Sequence, residues 1–483
     1  MERYGSMRIY NTLTREKEEL VTIIPGEVRI YVCGPTVYNL IHIGNARPLI
    51  TFDILRRFLE YSGYKVTFVQ NFTDIDDKVI VGAREEGVPI KEFTERYIAA
   101  YFADAEALGI RTADIHPRAT ESIDAILNLI GLLDEKGYTY TLADGVYFDT
   151  SKYDKYYQLS KLNPEELSAG ESQRVDESID KRNPADFVLW KFRRGDEPFW
   201  PSKWGEGRPG WHIECSAMIH KVLDDQIDIH GGGRDLIFPH HENEIAQSEC
   251  ALGKPFASYW MHNGFVQIDN VKMSKSLGNF VTLRKALQEW GGEVLRFFML
   301  NTHYRSPINY TAAALEAASA GLERLKRAAA ALSARVDKPE NAAAGTEVSG
   351  TEVSDAAANL SAALHTAVAQ FDKAMNDDMN TAVALAAIFD LVREINEALT
   401  GEIDQSVAAM VLEGLYKLTD CLGLDIRPAA EEIPAEVRRL VEERAVARKA
   451  RDFARADAIR EQVAALGFDI EDTPAGAQIH PRG

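Results

Sequence analysis

Three short strings carry residue types suited to chemistry on phosphates or metals. HIGN at 42–45 follows an apolar run, VRIYVCG (28–34), and opens a stretch with helical spacing. The free N–H groups and positive dipole end of such a helix favour phosphate. His42 can meet a phosphate oxygen there and stabilise charge in a transition state, or it can cap the helix. KMSKS at 272–276 sits in a polar, glycine-flanked run, DNVKMSKSLGN. Lys272 and Lys275 can neutralise phosphate charge as point donors, or face solvent. In HGGGRDLIFPHHENEIAQSECA (230–251), Gly231, Gly232 and Gly233 after His230 let backbone approach a ligand closely. His240 and Glu244 are four apart and share a helix face; His241, three from Glu244, competes for the same role. Cys33 and Cys215 are distant in the chain and no CxxC occurs, so spacing identifies no zinc site. Each cysteine taken alone reads as a small buried residue.

The pairing of HIGN with a later KMSKS resembles the class I aminoacyl-tRNA synthetases, whose HIGH and KMSKS motifs bracket ATP on a Rossmann sheet. Asn45 stands where the motif has its second His, and Asn can still donate a hydrogen bond. Longer strings are similar to the cysteinyl-tRNA synthetases: YVCGPTVYNLIHIGNAR, NFTDIDDKVI, GWHIECSAM, HGGGRDLIFPHHENEIAQSECA and KMSKSLGNF, in that order across about 8–310. FDKAMNDDMNTAVAL (371–385) and ARKARDFARADAIREQVAALGFDIEDTPAG (447–476) resemble that family's helical and anticodon-binding regions.

The resemblance implies one zinc ion per chain on Cys33, Cys215, His240 and Glu244, with His241 the rival to His240. Cysteine and serine differ by one atom, which a pocket's shape separates poorly. Zinc prefers a soft thiolate to a hydroxyl and lowers a thiol's pKa. Gly34, Thr73 and Trp211 are expected in the cysteine pocket, and His230 to Gly233 near the ribose and adenine of ATP. His42, Asn45, Lys272 and Lys275 are expected to stabilise the phosphoryl charge, with Mg²⁺ on the ATP phosphates. The implied partners are L-cysteine, ATP and cysteine tRNA, met at its acceptor end and anticodon; the implied state is a cytoplasmic monomer. Two rivals are a cysteine ligase acting on an amino-sugar acceptor and a non-catalytic RNA-binding paralogue. Relatives of the first kind lack most of the C-terminal region, and the second need not keep HIGN, KMSKS and all four ligands.

These residues need elements to hold them. VRIYVCG and YKVTFVQNF (64–72) read as strands. Between them GNARPLITFDILRRFLEYSG (44–63) has helical spacing at Ile50, Ile54, Leu55, Phe58 and Leu59, with Gly63 as the stop. Strand, helix, strand is a βαβ unit, which builds parallel sheets with ligands at the strand C-termini. The fold class expected is therefore α/β: a Rossmann-type nucleotide-binding catalytic domain with a parallel sheet and an inserted connective subdomain, then an α-helical bundle and a small C-terminal anticodon-binding domain. The expected divisions are 1–115 and 211–310 for the two catalytic halves, 116–210 for the insertion, 311–426 for the helical tRNA-stem-contacting domain and 427–483 for the last domain. Within the helical part, 336–356 reads as a polar linker holding a direct GTEVS repeat.

Composition narrows the function classes. The chain has 483 residues, 46% apolar and 27% charged, which excludes wholesale disorder. Its charge of −20 excludes a polyanion binder held by bulk charge. Arg438 to Arg460 is the exception: eight basic and four acidic residues, with Phe453, Ala456, Ile459, Val463 and Leu466 on one helical face. Four cysteines are too few for a disulfide scaffold and suit a reducing compartment. No apolar run is long enough to span a membrane, and the opening MERYGSMRIYNTLTREKEEL lacks the apolar stretch of a secretory signal.

Overall fold

The computed structural model describes residues 7–163, 180–272, 280–336, 355–428, 434–450, 452–473 and 476–481. Lys275 and the GTEVS repeat lie outside them, and of Lys272 only the backbone is described.

Four strands rich in β-branched and aromatic residues form a parallel sheet: β1 (Glu27–Val32), β2 (Lys65–Gln70), β3 (Ile227–Gly233) and β4 (Ala257–Asn263). Their order is β4-β3-β1-β2, so strands distant in sequence meet at the centre. Helix α1 (Ile43–Tyr61) crosses from β1 to β2 and buries Ile50, Ile54, Leu55, Phe58 and Leu59, as its spacing predicts. Gly63, at φ +99°, turns the chain back into β2. Helix α2 (Ile90–Ala107) follows β2. Helix α3 (Trp211–Val222) leads into β3, and α4 (Glu242–Leu252) joins β3 to β4.

The chain between 116 and 210 folds on its own antiparallel sheet of Thr139–Leu142, Gly145–Phe148, Phe187–Phe192 and Gly207–Pro209, backed by the helix Ile123–Glu135. Its core, centred on Ile126, Ile130, Phe148 and Trp190, is continuous with Ile213, Ala246 and Cys250 of α3 and α4. The insertion is thereby anchored to the two helices that carry candidate metal ligands.

Beyond β4 come α5 (Leu283–Trp290) and α6 (Gly292–Leu300), then the long helices α7 (Ala312–Val336), α8 (Asp355–Asn376), α9 (Thr381–Ala398) and α10 (Gln405–Cys421). The segment entering α5 is tied to the segment entering α1: Ile43 N–H donates to Val281 O at 3.1 Å and Leu283 N–H to Ile41 O at 2.9 Å. The chain that leaves KMSKS is thus fastened beside HIGN.

Residues 427–483 form a separate compact unit. Helices α11 (Ala435–Lys449) and α12 (Phe453–Ala465) pack Val437, Leu440, Ile459 and Val463 against the hairpin Phe468–Thr473/Gly476–Pro481. The five residues with helical spacing differ in burial. Ala456, Ile459 and Val463 are buried, but Phe453 is 60% and Leu466 43% exposed. The core of this unit spans only the middle turns of α12, so both end residues lie beyond it.

Candidate active site

The metal-type donors converge from four places in the chain. Cys33 follows β1 and donates its backbone N–H to Gly231 O of β3 at 3.2 Å. Cys215 lies in the second turn of α3, while His240, His241 and Glu244 come from the turn into α4 and its first residues. Cys33 Sγ is 3.7 Å from Cys215 Sγ and 3.4 Å from Glu244 Oε1, and His240 Nε2 is 3.0 Å from the same oxygen. Cys33, Cys215, His240 and Glu244 offer four donor atoms within 4.8 Å of one another. So do Cys33, His230, His241 and Glu244. Both sets share Cys33 and Glu244 and differ in the imidazoles.

The electrostatics separate the two histidines. Burial pushes His240 down, but the Glu244 carboxylate and Cys215 overcome it and raise the ring to about 10. Burial, helped by His230, pushes His241 well below its ordinary value. Its Nε2 sits 3.3 Å from Cys33 Sγ, and its Nδ1 2.8 Å from His262 Nε2, which leans in turn on Thr12 Oγ1. A hydrogen bond from Cys33 brings the Cys215 thiol down to about 6, whereas burial and Cys215 push Cys33 well up. Glu244 is held well below the carboxylate range by His230 and His240, against its burial. Two sulfurs and a carboxylate thus crowd one space, buried but for the part-exposed Cys33, a donor set that a divalent cation balances.

The cluster lies between two cavities. One, of about 400 Å³, is lined by Cys33 and Gly34, by His42, Gly44 and Asn45 at the start of α1, and by Gly233, Asp235, Asn263 and Gly264. It lies at the C-terminal ends of β1, β3 and β4, where open α/β sheets bind ligands. Asn45 Oδ1 accepts the His42 backbone N–H at 3.0 Å, so its carbonyl end caps the helix and its amide nitrogen is the end free to donate. The other cavity, of about 560 Å³, is lined by Trp211, His212, His240 and Asn243 with Tyr156, Asp186 and Lys191 of the insertion. Trp211 is 39% exposed and stacks on His240, with ring centroids 4.3 Å apart. Asp235 and Leu236 line both.

Other expected site residues are placed differently. His230 has no exposed surface; its Nε2 lies 2.8 Å from Glu244 Oε2 and its ring stacks on Trp260, so it faces the donor cluster and not the nucleotide cavity. A Cβ on Gly231 would meet Phe52 of α1 at 2.3 Å, and one on Gly232 would meet His241 at 2.9 Å. Those glycines make room for protein, and of the three only Gly233 lines the cavity. Gly34 is required by backbone: its Cβ would fall 1.7 Å from Asn71 O. Thr73 is 1% exposed and donates to Glu214 Oε2 at 2.8 Å, supporting α3 from beneath. Asp235, Asn263 and Gly264 were not anticipated. The only signal for them is position, at or just past the ends of β3 and β4.

This parallel sheet, with HIGN at one strand end and the segment entering α5 tied beside it, is the class I aminoacyl-tRNA synthetase architecture. Methionyl-tRNA synthetase of Mycobacterium tuberculosis, solved with methionyl-adenylate, shares the fold at TM-score 0.59 and 18% identity, covering 82% of this chain and 89% of that one. A leucyl-tRNA synthetase of Agrobacterium radiobacter, solved in a ternary complex with tRNA, shares it at TM-score 0.61 and 14% identity, covering 84% and 86%. Family models match at 19–320 (tRNA synthetases class I (C) catalytic domain), 370–427 (DALR domain) and 430–479 (cysteinyl-tRNA ligase anticodon binding domain). The cysteine–tRNA ligase of Symbiobacterium thermophilum is 51% identical over 98% of this chain and 99% of its own length; that of Anoxybacillus flavithermus is 48% identical over the same shares. The chain belongs to the cysteine–tRNA ligase family. Among the described residues no helix is long and apolar enough to cross a membrane.

Proposed function

We propose that this chain activates L-cysteine with ATP and transfers it to the 3′-terminal adenosine of cysteine tRNA. The observation that carries the reading is the donor cluster opening onto the HIGN cavity through Cys33 and Gly34. A cysteine whose sulfur is held at the cluster points its carboxylate toward a nucleotide at the start of α1.

Zinc fits the Cys33, Cys215, His240 and Glu244 set. Bond lengths of about 2.3 Å to sulfur and about 2.0 Å to oxygen or nitrogen give tetrahedral edges of about 3.8 Å for S···S, about 3.5 Å for S···O and about 3.3 Å for N···O. The corresponding separations are 3.7, 3.4 and 3.0 Å. When bound, the ion favours a soft thiolate over a hydroxyl and lowers the thiol's pKa. His230 and His212 orient two of the ligands, reaching Glu244 Oε2 at 2.8 Å and His240 Nδ1 at 3.0 Å.

In the first step a cysteine carboxylate oxygen attacks the α-phosphorus of ATP. The new P–O bond forms as the bond to the bridging oxygen breaks, and pyrophosphate leaves with Mg²⁺. His42, Asn45, Lys272 and Lys275 stabilise the charge on the phosphoryl oxygens. The protein offers positioning and electrostatics, with no covalent intermediate on a side chain. In the second step the 2′-hydroxyl of the terminal adenosine attacks the acyl carbon and AMP departs. The cavity lined by Trp211, Phe238 and Lys191 is the space open to that adenosine. In the last unit, exposed Phe453 near Arg448, Lys449 and Arg455 offers a stacking face with positive charge for splayed bases.

The experiment is cysteine-dependent pyrophosphate exchange followed by charging of tRNA with labelled cysteine. Exchange with charging of cysteine tRNA alone supports the whole reading. Exchange without charging of any tRNA redirects the acceptor to an amino sugar. Neither reaction in zinc-loaded protein leaves an RNA-binding role.

A further inference from the structure

Two buried charged residues outside the donor cluster and the HIGN and KMSKS motifs grip one short turn. Arg47 of α1 is 1% exposed, and no carboxylate pairs with it among the described residues. Its guanidinium donates to Met299 O at 3.0 Å, His303 O at 2.9 Å, and Thr302 O and Ser306 O at 3.3 Å. It caps the carbonyl end of α6, where a cation is favoured. Asp378, between α8 and α9, is fully buried with φ +62°. Its Oδ1 accepts the Tyr10 N–H at 2.9 Å and the Tyr304 O–H at 2.7 Å. Its Oδ2 accepts from Arg305 Nε at 2.7 Å and lies 3.5 Å from His303 Nε2.

The turn they hold backs the nucleotide cavity. Gly264 lines that cavity and donates its N–H to Tyr304 O at 2.8 Å. A Cβ on Gly264 would lie 2.5 Å from Ser306 O, so the two backbones touch. Phe265 O, one residue on, accepts from Ile308 N–H at 3.0 Å. One side of the cavity is therefore the start of α1, which Arg47 ties to the turn, and another is Gly264, which rests on it.

We propose that Asp378 is a positioning residue for ATP, acting through the 303–306 turn on Gly264 and, through Arg47, on the start of α1. The inference rests on reading this cavity as the nucleotide site. The carboxylate fixes Tyr304 and Arg305, and these fix the carbonyls that Gly264 and Arg47 use. No residue of the donor cluster makes any of these contacts, so the ATP parameters are expected to move more than those for cysteine.

The test is Asp378→Asn beside Tyr304→Phe, with Asp377→Asn, whose exposed carboxylate pairs with Lys17, as the control. In cysteine-dependent pyrophosphate exchange, Asp378→Asn is expected to raise the KM for ATP by about tenfold, the scale of a sub-ångström misplacement. The KM for cysteine and the zinc content should stay within about twofold of wild type, a split that general structural damage does not give. Tyr304→Phe should move the same parameters by about threefold, one neutral hydrogen bond's worth. ATP affinity is also measured by equilibrium dialysis: wild type that binds ATP without exchanging it contradicts the ligase reading and leaves the positioning test intact. Unchanged ATP parameters in folded Asp378→Asn, or equal losses for ATP and cysteine, overturn the proposal. If Asp378→Asn does not fold, Tyr304→Phe decides by the same split.

Discussion

Cys33 Sγ and Cys215 Sγ stand 3.7 Å apart although 182 residues separate them. β1 and α3 bring them together because β3 lies beside β1 in the sheet and the Cys33 N–H bonds to Gly231. No local pattern encodes this contact; it is a product of sheet order. It closes the donor set against the nucleotide cavity, and the predictions below start from it.

Cys215→Ser replaces a soft donor with a hard one. Zinc affinity should fall by about a hundredfold or more, at or beyond the cost of losing an outer-shell partner. The KM for cysteine should rise in parallel and ATP binding should hold. Zinc content by plasma emission, read with ATP dialysis on the same sample, checks this; full zinc occupancy would remove Cys215 from the ligand set.

The two overlapping donor sets make opposite forecasts. His240 Nε2 lies 3.0 Å from Glu244 Oε1, while His241 Nε2 is 4.0 Å from it and rests against Cys33. His240→Asn should therefore lose the metal and His241→Asn should keep it. Zinc retained in the first variant and lost in the second would assign the site to Cys33, His230, His241 and Glu244.

Lys275→Ala should slow adenylate formation by about 10²-fold or more, because a point charge on the developing phosphoryl oxygens is removed. The KM for cysteine should barely move. Single-turnover adenylate formation checks it, and near-normal rates would exclude Lys275 from catalysis.

Asp53 of α1 accepts from Arg296 of α6 in a fully buried pair and from Arg57 at 2.8 Å. Burial pushes the Asp53 carboxyl up, but the two guanidinium groups overcome it and hold it below the usual range. A carboxyl depressed in the folded state adds stability above its unfolded pKa of about 3.9, and that contribution is lost as pH falls through the folded value. Asp53→Asn leaves Arg296 charged and unpaired, at a cost of about 3 kcal/mol. Urea unfolding of both proteins should show the full gap at pH 7 and a narrowing gap below about pH 4. A gap that does not change with pH would contradict the charged pair.

The βαβ start was legible because Ile50, Ile54, Leu55, Phe58 and Leu59 keep helical spacing between two β-branched runs. The site was legible mainly as strings: His42, Gly34 and Gly233 do line one cavity, but composition and period alone gave no reason to join Cys33 to Cys215. Misplaced were residues whose partners come from afar. The Gly231 side chain position is filled by Phe52, and His230 turns to Glu244, contacts set by the crossing of α1 and α4 over the sheet. Helical spacing put Phe453 on one face with Ala456, Ile459 and Val463, but period marks a face and not how far the core extends along it, and Phe453 is exposed. Asp378 and Arg47 carry no motif that names their shared turn, since their convergence depends on how α8 and α9 dock beside α6.

The most direct test is charging of cysteine tRNA by zinc-loaded protein with cysteine and serine in parallel. The account predicts charging with cysteine only, and loss of that reaction when a chelator strips the metal, restored on adding zinc back. Serine charged at a comparable rate, or cysteine charging unaffected in verified metal-free protein, would contradict it.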